Sequence, residues 1–421
     1  MWYNSLLKSL FIPNLCIVEV IFLNIPFSPP DIGEEEIEAV TRCLKSGWIT
    51  TGPLTKRFER EIAEYCGTKK AACLSSATAC MELCLRMLGV GPGDEVITCA
   101  YTYTASASVI HHVGAKIVLV DTAKNSFFMD YEKLEAAITE KTKVIIPVDL
   151  AGIMCDYDKI FEIVERKKNL FKPNSKIQKA FNRIIVVSDS AHAFGSEKNG
   201  KKCGSLADFT CFSFHAVKNL TTAEGGAVTW REIDNYDSNI IYTAFMNLSL
   251  HGQTKDALTK NLCGSWEYDI VSPDYKCNMT DIMAAMGLTQ LKRYDSILQR
   301  RRYLFNKYSK ALKMTGIQIL PHLTKGNKSN CHLFMVRLTD KDITFRNSLM
   351  EKMANAGISC NVHFKPLPMM TAYKNLGFDI KDYPNAFNMY KNEITLPLNT
   401  CISDIEVDYV IDSFINFLRE K

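Results

Sequence analysis

Short apolar runs alternate with segments of helical periodicity from residue 30 onward, and this alternation limits the possible folds more than any other feature. Residues 144–148 and 184–188 are runs rich in β-branched side chains, which are typical of strands buried on both faces of a parallel sheet. Residues 34–46 instead place Ile37, Val40 and Leu44 at helical spacing. Strands that alternate with helices in this way predict an α/β fold with a mostly parallel sheet.

The same two patterns place further elements along the chain. We expect strands at residues 71–74, 95–98, 116–120, 209–214 and 226–229, and helices at residues 58–65, 79–88, 106–112 and 131–139. Beyond them, one long helix is predicted at residues 281–312, strands at 331–338 and 359–364, and a closing helix at 405–418.

The change of pattern near residue 290 divides the 421-residue chain, which is long enough to bury a sizeable core. The strands and the closing helix that follow the long helix predict a smaller α+β domain in the second part. We expect an N-terminal extension of unknown role at residues 1–24, a large domain at residues 25–290 and a small C-terminal domain at residues 291–421.

Charge and cysteine content exclude several classes of protein. Lys and Arg total 50 against 46 Asp and Glu, an excess too small to indicate nucleic-acid binding. The 15 cysteines include no C-x-x-C pair, which favours buried thiols in a cytoplasmic protein over a disulfide framework or a metal site. The apolar N-terminal stretch is interrupted by Pro13 and Glu19, so we expect neither a membrane span nor a secretory signal.

Several familiar motifs are incomplete or missing. The glycines at 89–93 do not form G-x-G-x-x-G, and residues 195–202 depart from a phosphate loop after its lysine position, where Asn199-Gly200 predicts a hairpin turn instead. Neither H-E-x-x-H nor G-x-S-x-G occurs. A dinucleotide site, a zinc hydrolase site and a nucleophile elbow therefore have no support.

The informative segments are residues 186–195 and 212–226. The first is a predicted strand that delivers Asp189 at its carboxyl end, with His192 three residues later. The second is a strand that leads into a loop carrying Lys218 and closing with Gly225-Gly226. Ligands of open α/β sheets bind at the carboxyl ends of the strands.

Pyridoxal phosphate (PLP) requires this set of parts. A lysine forms the Schiff base and later moves a proton. A carboxylate faces the pyridine nitrogen and holds its proton. Hydroxyls and backbone N–H groups at a helix start bind the phosphate, and an aromatic ring covers the cofactor ring.

The two segments closely resemble those of the DegT/DnrJ/EryC1/StrS aminotransferases, which are fold-type I PLP enzymes of sugar biosynthesis. The resemblance rests on Asp189-Ser-Ala-His192 and on Phe212-Ser-Phe-His-x-x-Lys-Asn-Leu-Thr-Thr-x-Glu-Gly-Gly226. It extends in the family's order to residues 25–30, 46–53, 91–97, 279–285 and 362–367. The resemblance implies the aspartate aminotransferase-like fold, with a large mostly parallel-sheet domain and a smaller C-terminal α+β domain.

Carried over by position, the resemblance implies a role for each matched residue. Lys218 would bind PLP covalently and move the proton, and Asp189 would pair with the ring nitrogen. His192 would contact the ring hydroxyl or pack on the cofactor. Ser213, five residues before the lysine, would bind the phosphate.

Other matched residues complete the implied cofactor site. Tyr103 aligns with the aromatic residue that stacks on the ring, with Tyr101 as its rival. Ala77 and Thr78 begin a helix where the family binds the phosphate, although many members have glycine at the position of Ala77. Asn278 aligns with a residue that reaches the phosphate from a partner subunit, which implies a homodimer with shared active sites.

The resemblance also implies a reaction. An amino group would pass from L-glutamate to a nucleotide-linked keto sugar, giving an amino sugar for surface polysaccharide, glycan or secondary-metabolite biosynthesis. The matched segments that line the substrate pocket in relatives contain Trp48, Thr50, His363 and Lys365.

Three alternatives remain at this point. Dehydratases of the same fold replace the lysine with histidine, so Lys218 favours transamination. The acceptor could instead be a cyclitol or another ketone. A non-catalytic regulatory or binding protein with the same fold would be expected to lose Lys218, Asp189 or Ser213, and all three are present.

Overall fold

The structure is a computed structural model that describes residues 24–420, except for residues 235, 261–263 and 265. Of the predicted N-terminal extension, residues 1–23 lie outside the described residues. The elements of the first part of the chain follow the predicted alternation of strand and helix.

The central element of the fold is a seven-stranded sheet. The strands of the first part of the chain are β1 (Ala71–Leu74), β2 (Glu95–Cys99), β3 (Lys116–Val120), β4 (Thr142–Ile146), β5 (Ile185–Asp189), β6 (Glu197–Lys198), β7 (Lys201–Lys202), β8 (Phe209–Ser213) and β9 (Gly226–Trp230). Seven of them pair in the order β1-β9-β8-β5-β4-β2-β3, in which only β9 runs antiparallel to its neighbours. The predicted mostly parallel sheet is confirmed.

Helices cover the sheet and bury its apolar strands. They are α1 (Glu34–Lys45), α2 (Pro53–Cys66), α3 (Ala77–Met87), α4 (Ala105–His112), α5 (Tyr131–Ala137), α6 (Tyr157–Arg166), α7 (Lys176–Phe181), α8 (Ser238–Ser249), α9 (Ala257–Lys260) and α10 (Asp281–Lys292). Every residue of β1, β2, β4, β5 and β9 is buried, as expected for strands covered on both faces.

The C-terminal part forms a three-stranded sheet of its own and adds two strands to the β6–β7 hairpin. Its strands are β10 (Gln318–Ile319), β11 (Leu323–Thr324), β12 (Asn327–Lys328), β13 (Phe334–Arg337) and β14 (Glu393–Leu396). Its helices are α11 (Tyr294–Leu312), α12 (Ile343–Asn355), α13 (Thr371–Asn375), α14 (Pro384–Tyr390) and α15 (Asp404–Arg419).

Strand order and packing give the C-terminal part its own core. Strands β10, β13 and β14 pair antiparallel, while β11 and β12 extend the β6–β7 hairpin, whose turn is Asn199-Gly200 as predicted. Ile25 packs in the same apolar cluster as Phe334 and Phe414, far from it in sequence. The proposed division at residue 290 stays a prediction, and Ile25, which it assigned to the large domain, packs in the second core.

Two predicted elements were wrong. The single helix at 281–312 is two helices, with Arg293 outside helical geometry between them. The Arg293 guanidinium binds Glu36 and Asp31, and buried Tyr294 donates its hydroxyl to Phe194 O, so tertiary contacts at this junction outweigh the helical periodicity.

The second error is the strand expected at 359–364, which forms only isolated bridges, Ile358 with Ile25 and Asn361 with Thr395. His363 N–H donates to the Glu393 carboxylate instead of to a neighbouring strand, which ends the ladder.

Two further expectations concern cysteines and membranes. The cysteines of the described residues are free, and most are buried. Within the described ranges, no helix combines the length and apolarity that crossing a bilayer requires.

We predict that Gly226→Ala destabilises the protein. A Cβ at Gly226 would lie 2.4 Å from the Ser76 carbonyl carbon and 2.6 Å from Ala77 N, which are backbone atoms that cannot move aside. We expect a loss of about 1–3 kcal/mol in the free energy of unfolding, measured by urea denaturation. Gly91→Ala is the control, because its Cβ would meet nothing closer than 3.8 Å. Equal stability of the two variants would contradict the prediction.

Candidate active site

A cavity of about 500 Å³ lies at the carboxyl ends of β5 and β8. Its walls include the last residues of these strands, the start of α3 and the loop that follows β8. Open α/β sheets bind their ligands at this edge. The cavity brings together most of the residues predicted from the sequence: Ala77, Thr78, Tyr103, Asp189, His192, Ser213, Lys218 and His363.

Lys218 and Asp189 are two groups of opposite charge that line the cavity. Burial lowers the pKa of the Lys218 amine to about 8, and the nearby Asp189 carboxylate partly offsets this effect. Burial also raises the pKa of Asp189. An amine with a lowered pKa is available as a nucleophile and base near neutral pH, which is the state that covalent catalysis by lysine requires.

Asp189 is oriented by two donors. Ser106 Oγ donates to Asp189 Oδ2 at 2.6 Å, and Ala191 N–H donates to Oδ1 at 3.2 Å. Both bonds stabilise the ionised carboxylate and lower its pKa against the effect of burial. Sequence reasoning missed Ser106, because nothing in residues 100–105 indicates that α4 begins beside β5.

The start of α3 offers an anion-binding end. Ser76 caps the helix by accepting the Ala79 N–H at 3.0 Å, and Ala77 and Thr78 follow at the cavity wall. Ser213, the last residue of β8, also lines the cavity, and its Oγ accepts the His215 N–H at 3.3 Å. Free N–H groups at a helix start together with hydroxyls bind phosphate well.

His192 faces the cavity as a neutral imidazole. Burial lowers its pKa well below the ordinary value, and Lys218 and His363 act in the same direction. Ala151 N–H donates to His192 Nδ1 at 3.3 Å, so the ring proton lies on Nε2. Ala151 holds this position with a φ of 58°, in a loop after β4.

Two buried groups that the sequence did not reveal support this wall. His332 lies 4.5 Å from His192 between ring centroids, and its Nδ1 binds Asn219 Oδ1 at 2.9 Å. Asp149 accepts Cys155 N–H, the Tyr157 hydroxyl and Ser190 Oγ, which anchors the loop that presents Ala151. His332 and Asp149 are themselves distant in sequence from the segments 186–195 and 212–226, so only the fold reveals them.

The rival tyrosines occupy different places. Tyr103 is 60% exposed at the cavity, where a planar ligand could stack on its ring. Tyr101 is buried beneath, with its hydroxyl donating to His363 O at 2.7 Å and its ring against Phe127. The geometry favours Tyr103 as the stacking residue.

Four predicted residues lie away from the cavity walls that the described residues form: Trp48, Thr50, Asn278 and Lys365. Lys365 is exposed beyond Phe364. The other three lie close together, because Asn278 Nδ2 donates to Thr51 Oγ1 and Trp48 Nε1 donates to Thr51 O. Their roles stay predictions.

Comparison with known proteins agrees with this geometry. Residues 30–415 match the DegT/DnrJ/EryC1/StrS aminotransferase family. The chain belongs to this family.

Three relatives illustrate the match. Spr1654 of Streptococcus pneumoniae, a candidate sugar aminotransferase solved in PMP and PLP forms, is 58% identical in its PMP form, with a TM-score of 0.92, over 94% of this chain and 99% of that one. Helicobacter pylori PseC, an aminotransferase involved in the biosynthesis of pseudoaminic acid, is 29% identical with a TM-score of 0.80, over 94% of this chain and 99% of that one. The spore coat polysaccharide biosynthesis protein SpsC of Bacillus subtilis is 37% identical over 399 residues, 94% of this chain and 97% of that protein.

The residues of the cavity fit PLP. The site contains an amine of lowered pKa, a buried carboxylate with donors on both oxygens, a helix start with nearby hydroxyls and an exposed aromatic face. The chain is an aminotransferase of a PLP-dependent family of sugar biosynthesis. The predicted family, fold, enzyme class and cofactor are thereby confirmed.

We predict that Ser106→Ala weakens PLP binding by about 10-fold or more, because a hydrogen bond to a charged group contributes roughly 1.5–3 kcal/mol. The loss should grow as the pH falls. Without the Ser106 donor the pKa of Asp189 rises further, so the ionised carboxylate is lost at a higher pH. Absorbance titration of cofactor-free protein with PLP at several pH values measures this.

Ser108→Ala is the matched control, since Ser108 Oγ bonds only to Ala105 O within the same helix among the contacts of the described residues. Identical affinities of the two variants across the pH range would contradict a role for Ser106.

Proposed function

We propose that the protein transfers the amino group of L-glutamate to a nucleotide-linked keto sugar, with Lys218 as the catalytic residue. The observation that carries the proposal is the placement of Lys218 and Asp189 in one cavity beside the start of α3, with a pKa of the amine lowered to about 8. This arrangement suits proton transfer at a carbon that is bonded to nitrogen.

The cofactor would be held by the residues that surround it. Lys218 would bind it covalently, and Asp189 would hold a proton on the ring nitrogen, which favours the ionised form of this carboxylate. Ser213, Thr78 and the N–H groups at the start of α3 would bind the phosphate. When bound, PLP supplies an electron sink for negative charge on the substrate carbon.

Lys218 Nζ would carry the proton between substrate and cofactor carbons. Its lowered pKa allows it to accept a proton near neutral pH and to return it, as an efficient general acid–base group must. His192 would donate its Nε2 proton into the cavity, because Ala151 N–H occupies Nδ1. Tyr103 would cover the ring and exclude water from one face.

The nature of the acceptor rests on the relatives. PseC is named for the biosynthesis of pseudoaminic acid and SpsC for that of a spore coat polysaccharide, and Spr1654 is described as acting on sugars. We therefore propose a keto sugar carried by a nucleotide, and a product used in polysaccharide or glycan biosynthesis. His363 lines the cavity where a sugar hydroxyl could bind.

A homodimer would complete the site. Asn278, Trp48 and Thr50 lie together outside the cavity of their own chain, and Trp266, Ile270 and Val271 are large side chains exposed nearby in sequence. Exposed apolar groups of this size are typical of interfaces. We propose that a second copy covers this surface and that Asn278 of each copy reaches the phosphate of the other.

We predict that Lys218→Ala lowers kcat by about 100- to 10,000-fold, because it removes the group that moves the proton. Borohydride reduction followed by mass spectrometry should fix a pyridoxyl group on Lys218 of the native protein and none on the variant. Lys176→Ala, at an exposed lysine in α7, should behave as the native protein. Near-normal turnover of Lys218→Ala would end the assignment.

We also predict that 2-oxoglutarate forms when the protein is incubated with L-glutamate and the correct nucleotide-linked keto sugar. The test compares a panel of such sugars with unlinked keto sugars and a cyclitol ketone, following 2-oxoglutarate and the aminated product. If only the cyclitol ketone were aminated, the acceptor would be a cyclitol ketone and not a nucleotide-linked keto sugar. If another amino acid changed the absorbance spectrum of the purified protein and glutamate did not, that amino acid would be the donor in place of glutamate.

A further inference from the structure

A buried carboxylate outside the cofactor site is connected to the cavity. Glu393, the first residue of β14, is completely buried, and its Oε2 accepts the backbone N–H of His363 at 2.9 Å. Its Oε1 binds the Thr395 hydroxyl at 2.5 Å. The reaction proposed above has no use for this acid.

Thr395 continues the connection toward the cavity. Its Oγ1 lies 2.9 Å from His363 Nδ1, and the His363 ring lines the cavity. Backbone bonds between Thr395 and Asn361, at 3.0 and 2.8 Å, hold the two segments in register. Glu393, Thr395 and His363 therefore form an unbroken hydrogen-bonded chain from the protein interior to the cavity.

We propose that Glu393 and Thr395 are positioning residues that decide which nitrogen of His363 carries the proton, and thus whether His363 donates or accepts a hydrogen bond in the cavity. The Thr395 hydroxyl donates one hydrogen bond and accepts another, so the donors and acceptors along the hydrogen-bonded chain can be arranged in two opposite directions. With Glu393 protonated, its O–H donates to Thr395, Thr395 donates to His363 Nδ1, and Nε2–H points away from the chain.

With Glu393 ionised the direction reverses. Thr395 donates to the carboxylate, His363 Nδ1–H donates to Thr395, and Nε2 keeps a lone pair. The conversion releases one proton at His363 Nε2, and every other proton moves one place along the chain. The protonation state of Glu393 is in this way transmitted to the cavity through the side chains of Thr395 and His363.

The surroundings of Glu393 allow both its protonated and its ionised form near neutral pH, and therefore both directions of the hydrogen-bonded chain. Burial raises the pKa of its carboxyl to about 8, against the opposing effects of the Thr395 and His363 bonds and of Arg346. Below this pH the acid form and the donor state of His363 dominate, and above it the carboxylate and the acceptor state dominate. Burial and Lys218 lower the pKa of His363 to about 3, so the ring itself stays neutral.

The charged and titratable groups facing Glu393 come from each element packed on it. They are Arg346 of α12, Arg337 opposite it on β13, Tyr101 after β2, and Cys360 and His363 of the preceding segment. Arg346 binds the carbonyls of Tyr390 and Glu393, and Arg337 binds Asn392, Gln318 and Asn388 O. Because these bonds go to neutral acceptors, neither arginine forms an ion pair with the carboxylate in this arrangement.

The consequence for substrate rests on the proposed function. A donor at His363 Nε2 suits a carbonyl or phosphate oxygen of the acceptor, whereas a lone pair suits a hydroxyl. Loss of the donor above about pH 8 should raise KM for the acceptor more than it lowers kcat.

The test reads the proton position directly and needs no substrate. The purified holoprotein, labelled with ¹⁵N-histidine, is titrated by NMR from about one unit below to about one unit above pH 8, and His363→Gln assigns the signals. We expect the His363 proton to move from Nε2 to Nδ1, with the ratio of the two forms changing about 100-fold for a one-proton titration.

Three variants separate the chain from general structural effects. Glu393→Gln should keep the proton on Nε2 at every pH, because its amide nitrogen can only donate to Thr395. Thr395→Val should abolish the pH dependence, and Thr395→Ser should retain it. Should Glu393→Gln not fold, the Thr395 pair still decides.

Two results would overturn the proposal: a His363 tautomer that stays the same across the titration, or a Thr395→Val protein that titrates like the native one. Neither depends on the acceptor sugar. Failure of the tautomer test therefore leaves the proposed transamination standing, and failure of the substrate panel leaves the tautomer result standing.

Discussion

The chemistry of the cavity depends on an amine and a carboxylate that are buried in one site. Burial disfavours the charged form of each group, so it lowers the pKa of Lys218 and raises that of Asp189, while the two charges stabilise each other. Their geometry comes from β5 and β8, parallel neighbours in which Asp189 lies opposite Cys211. The carboxyl ends of both strands therefore meet at one edge of the sheet, and the loop after β8 brings the lysine back to the carboxylate.

Three histidines near Lys218 add polar groups to the site without adding positive charge. Burial lowers the pKa of His192, His332 and His363, so each ring is neutral at physiological pH. Each ring also has one nitrogen bound to the protein, through Ala151 N–H, Asn219 or Thr395. A further positive charge beside Lys218 would lower the pKa of its amine still more, whereas neutral rings supply donors and acceptors without this effect.

The sequence could predict the parts of the site that lie next to each other along the chain. Asp189 ends β5 and His192 follows it closely, while Ser213 ends β8 and Lys218 lies five residues later. Their chemistry is therefore visible in two short segments. Ser106 is 83 residues from the carboxylate that it orients, and no local pattern joins them. The helical periodicity also failed to predict the break at Arg293. Its pattern suits one continuous helix, but side-chain contacts of Arg293 with Glu36 and Asp31 interrupt the helix there.

Polar contacts also decide how the C-terminal part meets the large sheet at the cavity. Asn330 Nδ2 donates to the carbonyls of His192 and Phe194 across this contact. Within the C-terminal part, buried Arg301 of α11 donates to the carbonyls of Cys331, His332 and Leu398, which fixes the segment that carries Asn330 and His332. Apolar surfaces tolerate sliding, whereas a buried guanidinium or amide that loses its carbonyl partner leaves an unsatisfied polar group at a cost of about 1–3 kcal/mol. These hydrogen bonds are satisfied in one arrangement only, and they therefore fix the position of His332 against His192. Directional polar contacts therefore set the relative position of the two cores at the cavity. The residues that make these contacts are far apart in the sequence.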